Sequence, residues 1–124
     1  MRLTKEQAIL EHRKMWNWIA DESEKRKLII KKRDYFEFIE ALSPPLFNCY
    51  CCEYNFLQND ANGIINCEKC PIDWGSTRNS FMCEDLHIDG NRGGLYAQWR
   101  TCSDVETAVR LAREIANLPK NINI

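Results

Sequence analysis

Two cysteine pairs, Cys49-Tyr-Cys-Cys52 and Cys67-Glu-Lys-Cys70, with fourteen residues between them, constrain the fold more than any other feature of this chain. At that separation two Cys-x-x-Cys pairs bring four thiolates to the corners of one tetrahedron, the coordination of a structural Zn²⁺. The expected ligands are Cys49, Cys52, Cys67 and Cys70, around one zinc ion per chain. Four thiolates close the shell and leave no position for water or substrate, so such a metal is a scaffold rather than a catalyst.

The rest of the sequence explains why a scaffold is needed. A length of 124 residues suits one domain. Its apolar residues cluster in helical patterns near the two ends, while the stretch from Ser43 to Ser103 is rich in Asn, Gly, Asp and Cys and lacks periodicity. An untied loop of that length is implausible in a compact domain. The expected organisation is therefore a helical part over 4–42, a zinc-stapled loop segment over 46–102, and a C-terminal helix over 104–118. Between the cysteine pairs, Asn59-Asp-Ala-Asn-Gly63 is a turn signal flanked by Phe56-Leu57 and Ile64-Ile65. It predicts a short hairpin with one knuckle at each base. The fold class expected is α+β, mainly α, with N- and C-terminal amphipathic helices packed around a central zinc-ribbon-like four-cysteine segment that carries a short β-hairpin. Knuckle amides should bond to the sulfurs, and Lys69 can offset part of the thiolate charge.

Seven cysteines are an odd number, so a pure disulfide framework leaves one thiol over. Cys51, Cys83 and Cys102 are the remaining thiols, expected to be buried as small hydrophobes. Cys83 and His87 form a Cys-x-x-x-His pair that offers alternate ligands to this zinc or to a second one. No apolar h-region follows a basic start and no run approaches the length of a membrane span, which places the protein in a reducing cytoplasm and away from membranes.

Two helices are written clearly. Thr4-Lys-Glu-Gln7 is a capping box, and behind it Ala8, Ile9, His12, Met15, Trp16, Ile19 and Ala20 share one face. His12 in that stripe reads as a buried imidazole bonded to backbone. Near the other end, Ser103-Asp-Val-Glu106 reads as a second capping box, followed by an apolar face of Val105, Ala108, Val109, Ala112, Ile115 and Ala116, with Pro119 as a stop. A short helix opening at Asp34 and carrying Phe36, Ile39 and Leu42 is expected to end at Ser43-Pro44-Pro45.

The candidate partner-binding residues lie outside these cores. Lys25, Arg26, Lys27, Lys31, Lys32 and Arg33 surround three apolar residues, either as a surface for phosphates or an acidic partner, or as a solvated helix face. The net charge of −1 argues against general attraction to polyanions. Trp18 sits beside the polar residues of the first helix, as a lid over a neighbouring segment or an anchor for a partner. Trp74 and Trp99 are further aromatic candidates, and Asn91 and Arg92 lie in the turn from His87 to Gly94.

That turn, downstream of a Cys-x-x-Cys, resembles part of the His-Asn-His nuclease family, in which the first His activates water. The second half of that site is missing, because after Gly94 no Asn or His appears until Asn117. Catalysis is therefore not the expectation. Over nearly the whole chain, the Met-Trp-Asn-Trp-Ile helix, the Cys-Pro-x-x-Trp motif, Cys83, Tyr96, Trp99 and the Ala-rich last helix resemble small accessory proteins of phages and prophages of Gram-positive bacteria. The resemblance implies a non-enzymatic, zinc-stabilised protein in the cytoplasm of a bacterial host cell. Its implied role is to bind and inhibit or redirect a host protein or protein–nucleic-acid complex, for example a component of antiviral defence such as CRISPR. A nucleic-acid-binding zinc-ribbon module that takes DNA or RNA is the alternative, and a metal-dependent nuclease is a lower one.

Overall fold

The computed structural model describes residues 4–41, 44–45, 49–58, 70–72 and 95–121, with 55–58 described in backbone only. Among them are five helices: α1 (Lys5–Arg26), α2 (Lys32–Phe38), α3 (Tyr50–Gln58), α4 (Leu95–Thr101) and α5 (Val105–Ala116). The mainly helical expectation holds. The only β pairing among the described residues is an isolated antiparallel bridge between Ile72 and Lys120.

Helix α1 begins where its capping box places it. The Thr4 hydroxyl accepts the Gln7 amide at 3.1 Å, and the Gln7 side chain accepts the Thr4 amide at 2.9 Å. Its buried residues are the seven of the apolar stripe plus Ser23. The Ser23 hydroxyl accepts the Ile30 amide at 3.1 Å, which satisfies a buried donor just past the helix end. Lys27 ends the helix in the left-handed region at φ 58°.

Helix α5 lies along α1, and Ile19, Ile115, Ala112, Leu111 and Trp16 meet between them. Burying each of the larger aliphatic side chains stabilises this contact by roughly 1.5–3 kcal/mol. Asp104, rather than Ser103, caps α5, accepting the Thr107 amide at 2.9 Å. The face turned to α1 is set by packing: Leu111 enters the core, and Val105 and Val109 are half-buried. The last carbonyls of a helix need partners from outside, and α1 supplies them. His12 Nε2 donates to Ile115 O at 3.2 Å, and Arg13 donates to Leu118 O at 3.1 Å.

Several expectations need correction. The run from Lys25 to Arg33 is not one helix; it crosses the end of α1, a turn and the start of α2. Lys31 is the N-cap of α2, and Asp34, one turn in, accepts the Lys31 amide at 2.8 Å. That helix stops at Phe38, with Ile39 exposed. The segment 46–102 is not loop alone, since α3 and α4 lie within it. Phe56 and Leu57 are helical rather than the first strand of a hairpin; the turn at Asn59–Gly63 and Ile64-Ile65 lie outside the described residues, so of the zinc-ribbon hairpin only the first arm meets the structure, and there it is replaced. The terminal helices pack on each other, with α3 set against α1; the rest of the central segment expected to form the ribbon lies outside the described residues.

Candidate metal centre and its surroundings

Three of the four predicted ligands are described, and α3 explains the position of two. Cys49 immediately precedes α3, and its sulfur accepts the Cys52 amide at 3.3 Å. This is a cap made by sulfur instead of oxygen: it satisfies one of the orphan amides of the helix's first turn and sets the sulfur where the positive end of the helix favours a thiolate. The same amide-to-sulfur bond is what holds a metal-bound thiolate in a knuckle.

The sulfurs form two pairs. The Cys52 thiol donates to Cys49, which, with the Lys32 charge and the Cys51 and Cys52 amides, pushes the Cys49 thiol down to about 6 against the opposing effect of burial. Across from it, Cys51 bonds to Cys70, and that contact, followed by burial, raises the Cys51 thiol well above the usual range. Cys51 and Cys70 share a small core with Ile9 and Ile72, against which Cys49 packs. Cys51 therefore lies buried, as expected of a leftover thiol, yet beside the predicted ligand Cys70. Among the described residues no three His, Cys, Asp or Glu side chains stand in a metal-holding group, and the fourth predicted ligand, Cys67, lies outside them. So do the alternates Cys83 and His87, as well as Lys69.

The second pair is fixed by the far end of the chain. Asn121, itself buried, donates its side-chain amide to Cys70 O and its backbone amide to Pro71 O, both at 2.8 Å. Lys5 of α1 donates to Asn121 O at 2.9 Å. Together with the Ile72–Lys120 bridge, these bonds press Cys70-Pro71-Ile72 against the base of α1.

The candidate surface residues divide sharply. Lys25, Arg26, Lys27 and Arg33 are exposed, and Arg26 pairs with Glu22 at 2.9 Å. Lys31 extends its ammonium over the Trp99 ring at 5.2 Å. Lys32 is only 9% exposed, with its ammonium 4.0 Å from the Tyr96 ring centre and 5.9 Å from that of Trp16. Trp99 is core, edge-on to Trp16 at 4.7 Å, and so presents no face to a partner. Trp18 is half-buried as a lid: it stacks on Phe38 at 5.0 Å and meets Tyr35 edge-on at 5.5 Å. Phe38, which the sequence reading passed over, is 63% exposed. Trp74, Asn91 and Arg92 lie outside the described residues.

His12 is structural. Burial, only partly opposed by its bond to Ile115, lowers it to about 4, so it is a neutral imidazole at pH 7. A groove of about 830 Å³ runs between the end of α1 and α5, floored by Val105 and Val109 and edged by Glu24, Lys27, Arg110 and Arg113. Arg113 bridges the two helices by pairing with Asp21 at 3.0 Å and Glu24 at 3.5 Å. No cysteine lines this groove.

No protein-family model, no curated protein and no solved structure matches this chain. No described helix is long and apolar enough to cross a membrane.

Proposed function

We propose that this is a non-enzymatic binding protein, stapled by one zinc ion on Cys49, Cys52, Cys67 and Cys70, that engages a macromolecule through an aromatic face at Trp18 and Phe38. The observation that carries the reading is the stacked Trp18–Phe38 pair, with Phe38 presenting most of its surface to solvent and Ile39 exposed beside it in the chain. Large aromatic side chains held in one orientation by a stacked neighbour are effective anchors, because little rotamer freedom remains to be lost on binding. The thiol pairs around α3 support the zinc assignment through their chemistry: soft sulfur donors, one of them already accepting a backbone amide. By its resemblance to phage accessory proteins, the partner is a host macromolecule, for example a component of antiviral defence such as CRISPR.

The nucleic-acid alternative keeps five exposed cations, Lys25, Arg26, Lys27, Lys31 and Arg33, and loses only Lys32, which is buried against Tyr96.

The test is capture from a nuclease-treated bacterial lysate with the zinc-loaded protein, repeated with Phe38→Lys. Retention of one bacterial protein by the wild type and its loss with the variant is the expected result. Salt-sensitive retardation of DNA or RNA that disappears on replacing Lys25, Arg26 and Lys27 would instead establish the nucleic-acid reading.

A further inference from the structure

The exposed aromatic face lies between two carboxylates. Glu37, Phe38, Ile39 and Glu40 are consecutive and all exposed, with Phe38 stacked on Trp18. None of the ion pairs among the described residues includes Glu37 or Glu40, nor Arg33, one turn before Glu37. The end of α2 gives these charges no local reason to be there. The Ala41 amide bonds to Phe36 O at 3.0 Å and the Glu40 amide to Glu37 O at 3.1 Å, the paired closing bonds of a Schellman motif. Such a motif holds one residue in the left-handed region, where glycine is at ease and a side chain is strained. Here that residue is Glu40, at φ 54°. Both carboxylates also stand at the negative end of the helix, whose last turn holds no cation. Local stability argues against Glu40, and a residue kept against local stability on the surface points to a use there. A partner that covers Phe38 and Ile39 strips water from the carboxylates beside them, which is unfavourable unless the partner brings cations.

We propose that the face at Trp18 and Phe38 docks into an apolar pocket of a partner protein, edged by Lys or Arg side chains that pair with Glu37 and Glu40. This inference rests on the aromatic-face reading above and adds the chemistry of the partner. Phe38 is the anchor that fills the pocket, while the two carboxylates fix its orientation and favour encounter with a basic surface. The same charges repel phosphates, so this face selects against nucleic acid.

The experiment titrates the full-length protein with two synthetic amphipathic helical peptides of equal length, one of Leu and Lys and the other of Leu and Glu, read by NMR amide shifts and by fluorescence anisotropy of the labelled peptide. The Leu–Lys peptide should bind at least about tenfold more tightly than the Leu–Glu peptide, shift the amides of 18 and 37–41, and bind more weakly as salt rises. Phe38→Ala should lose about tenfold in affinity. Glu37→Gln combined with Glu40→Gln should lose at least about threefold, together with most of the salt dependence. Glu106→Gln, an exposed acid on α5, should change nothing. Glu40→Gly separates binding from architecture: by relieving the left-handed residue it should raise Tm by roughly 2–5 °C, yet still weaken the Leu–Lys peptide. Three results would overturn the proposal: wild-type affinity in the Glu37→Gln, Glu40→Gln double variant, equal or tighter binding of the Leu–Glu peptide, or a Glu40→Gly protein that melts below wild type. If a bacterial protein captured by the wild type is still lost with Phe38→Lys, the aromatic-face reading survives that failure. Capture of no protein would overturn both. Dimerisation of the wild type in sedimentation, abolished by Phe38→Ala, would make a second copy the occupant and overturn the proposal as well.

Discussion

Where α1 lies against α5, the chain is ordered by two apolar stripes; where α3 meets Cys70, the core consists of Ile9, Ile72, Cys51 and Cys70. The first region buries two helices' worth of Ile, Leu, Met and Trp. The second buries a handful of small side chains, and fixing its backbone costs about 1–2 kcal/mol per residue. The contrast sets two ways of ordering a chain side by side: by area removed from water, which is encoded as periodicity, and, under the zinc reading proposed above, by directed bonds to a few atoms, which is encoded as spacing. A substitution that weakens the first should leave the second recognisable, and the reverse.

Removing the bonds is the strongest way to break the comparison. A chelator, or Cys49→Ser, should release amide protection over 49–58 and 70–72 while α1 and α5 keep theirs, as read by hydrogen exchange; structural zinc contributes on the order of 10 kcal/mol to the segment it ties. Elemental analysis should give about one zinc per chain. Unchanged protection at 49–58 would remove the metal from the account, and a collapse of both regions together would show them to be a single cooperative unit.

Acid should act on the helical pair through His12. Its folded value, about 4, lies below the ordinary 6.5, so the unfolded chain takes up a proton first as pH falls. The stability contributed by the neutral imidazole is therefore complete above pH 6.5 and is lost between pH 6.5 and 4, to a total of about 3 kcal/mol. Urea unfolding of metal-free protein across that range should show the slope, and His12→Gln should flatten it. A slope that persists in His12→Gln would assign it to other groups.

The smallest effect sharpens the boundary. Lys27 ends α1 at φ 58°, where a side chain is strained and glycine is not. Lys27→Gly should raise stability by about 0.5–1 kcal/mol in thermal unfolding and leave zinc affinity unchanged. A change in zinc affinity would mean that the end of α1 is coupled to the thiols.

The sequence is legible where one period governs a segment. The stripe of α1, including His12, can be read from spacing alone because every third or fourth residue answers to one neighbouring surface. The last helix is legible in kind but one residue off in its start, because Ser103 and Asp104 are both good caps, and the apolar face is wide enough that only packing decides that Leu111 rather than Val109 is buried. Helix α3 is hidden. Its first turn is Tyr-Cys-Cys-Glu, its cap is a sulfur, and the strong Asn-Gly turn downstream draws the eye to a hairpin. Lys32 is hidden by its company, since a lysine within a basic run looks solvated, although its spacing to Tyr35 and Phe36 marks an inward face. Phe38 and Asn121 carry no pattern at all; what they do depends on partners twenty and fifty-one residues away, Trp18 and Cys70.

The bonds from Asn121 to Cys70 and Pro71 also impose an order in time. A ribosome delivers both cysteine pairs well before it delivers Asn121, so the nascent chain exposes its thiols while the clamp on the second pair is still to be made. In that interval Cys70-Pro71-Ile72 lacks its partners at Lys120 and Asn121, so the packing seen around Cys70 can be completed only after the segment at Asn121 has emerged.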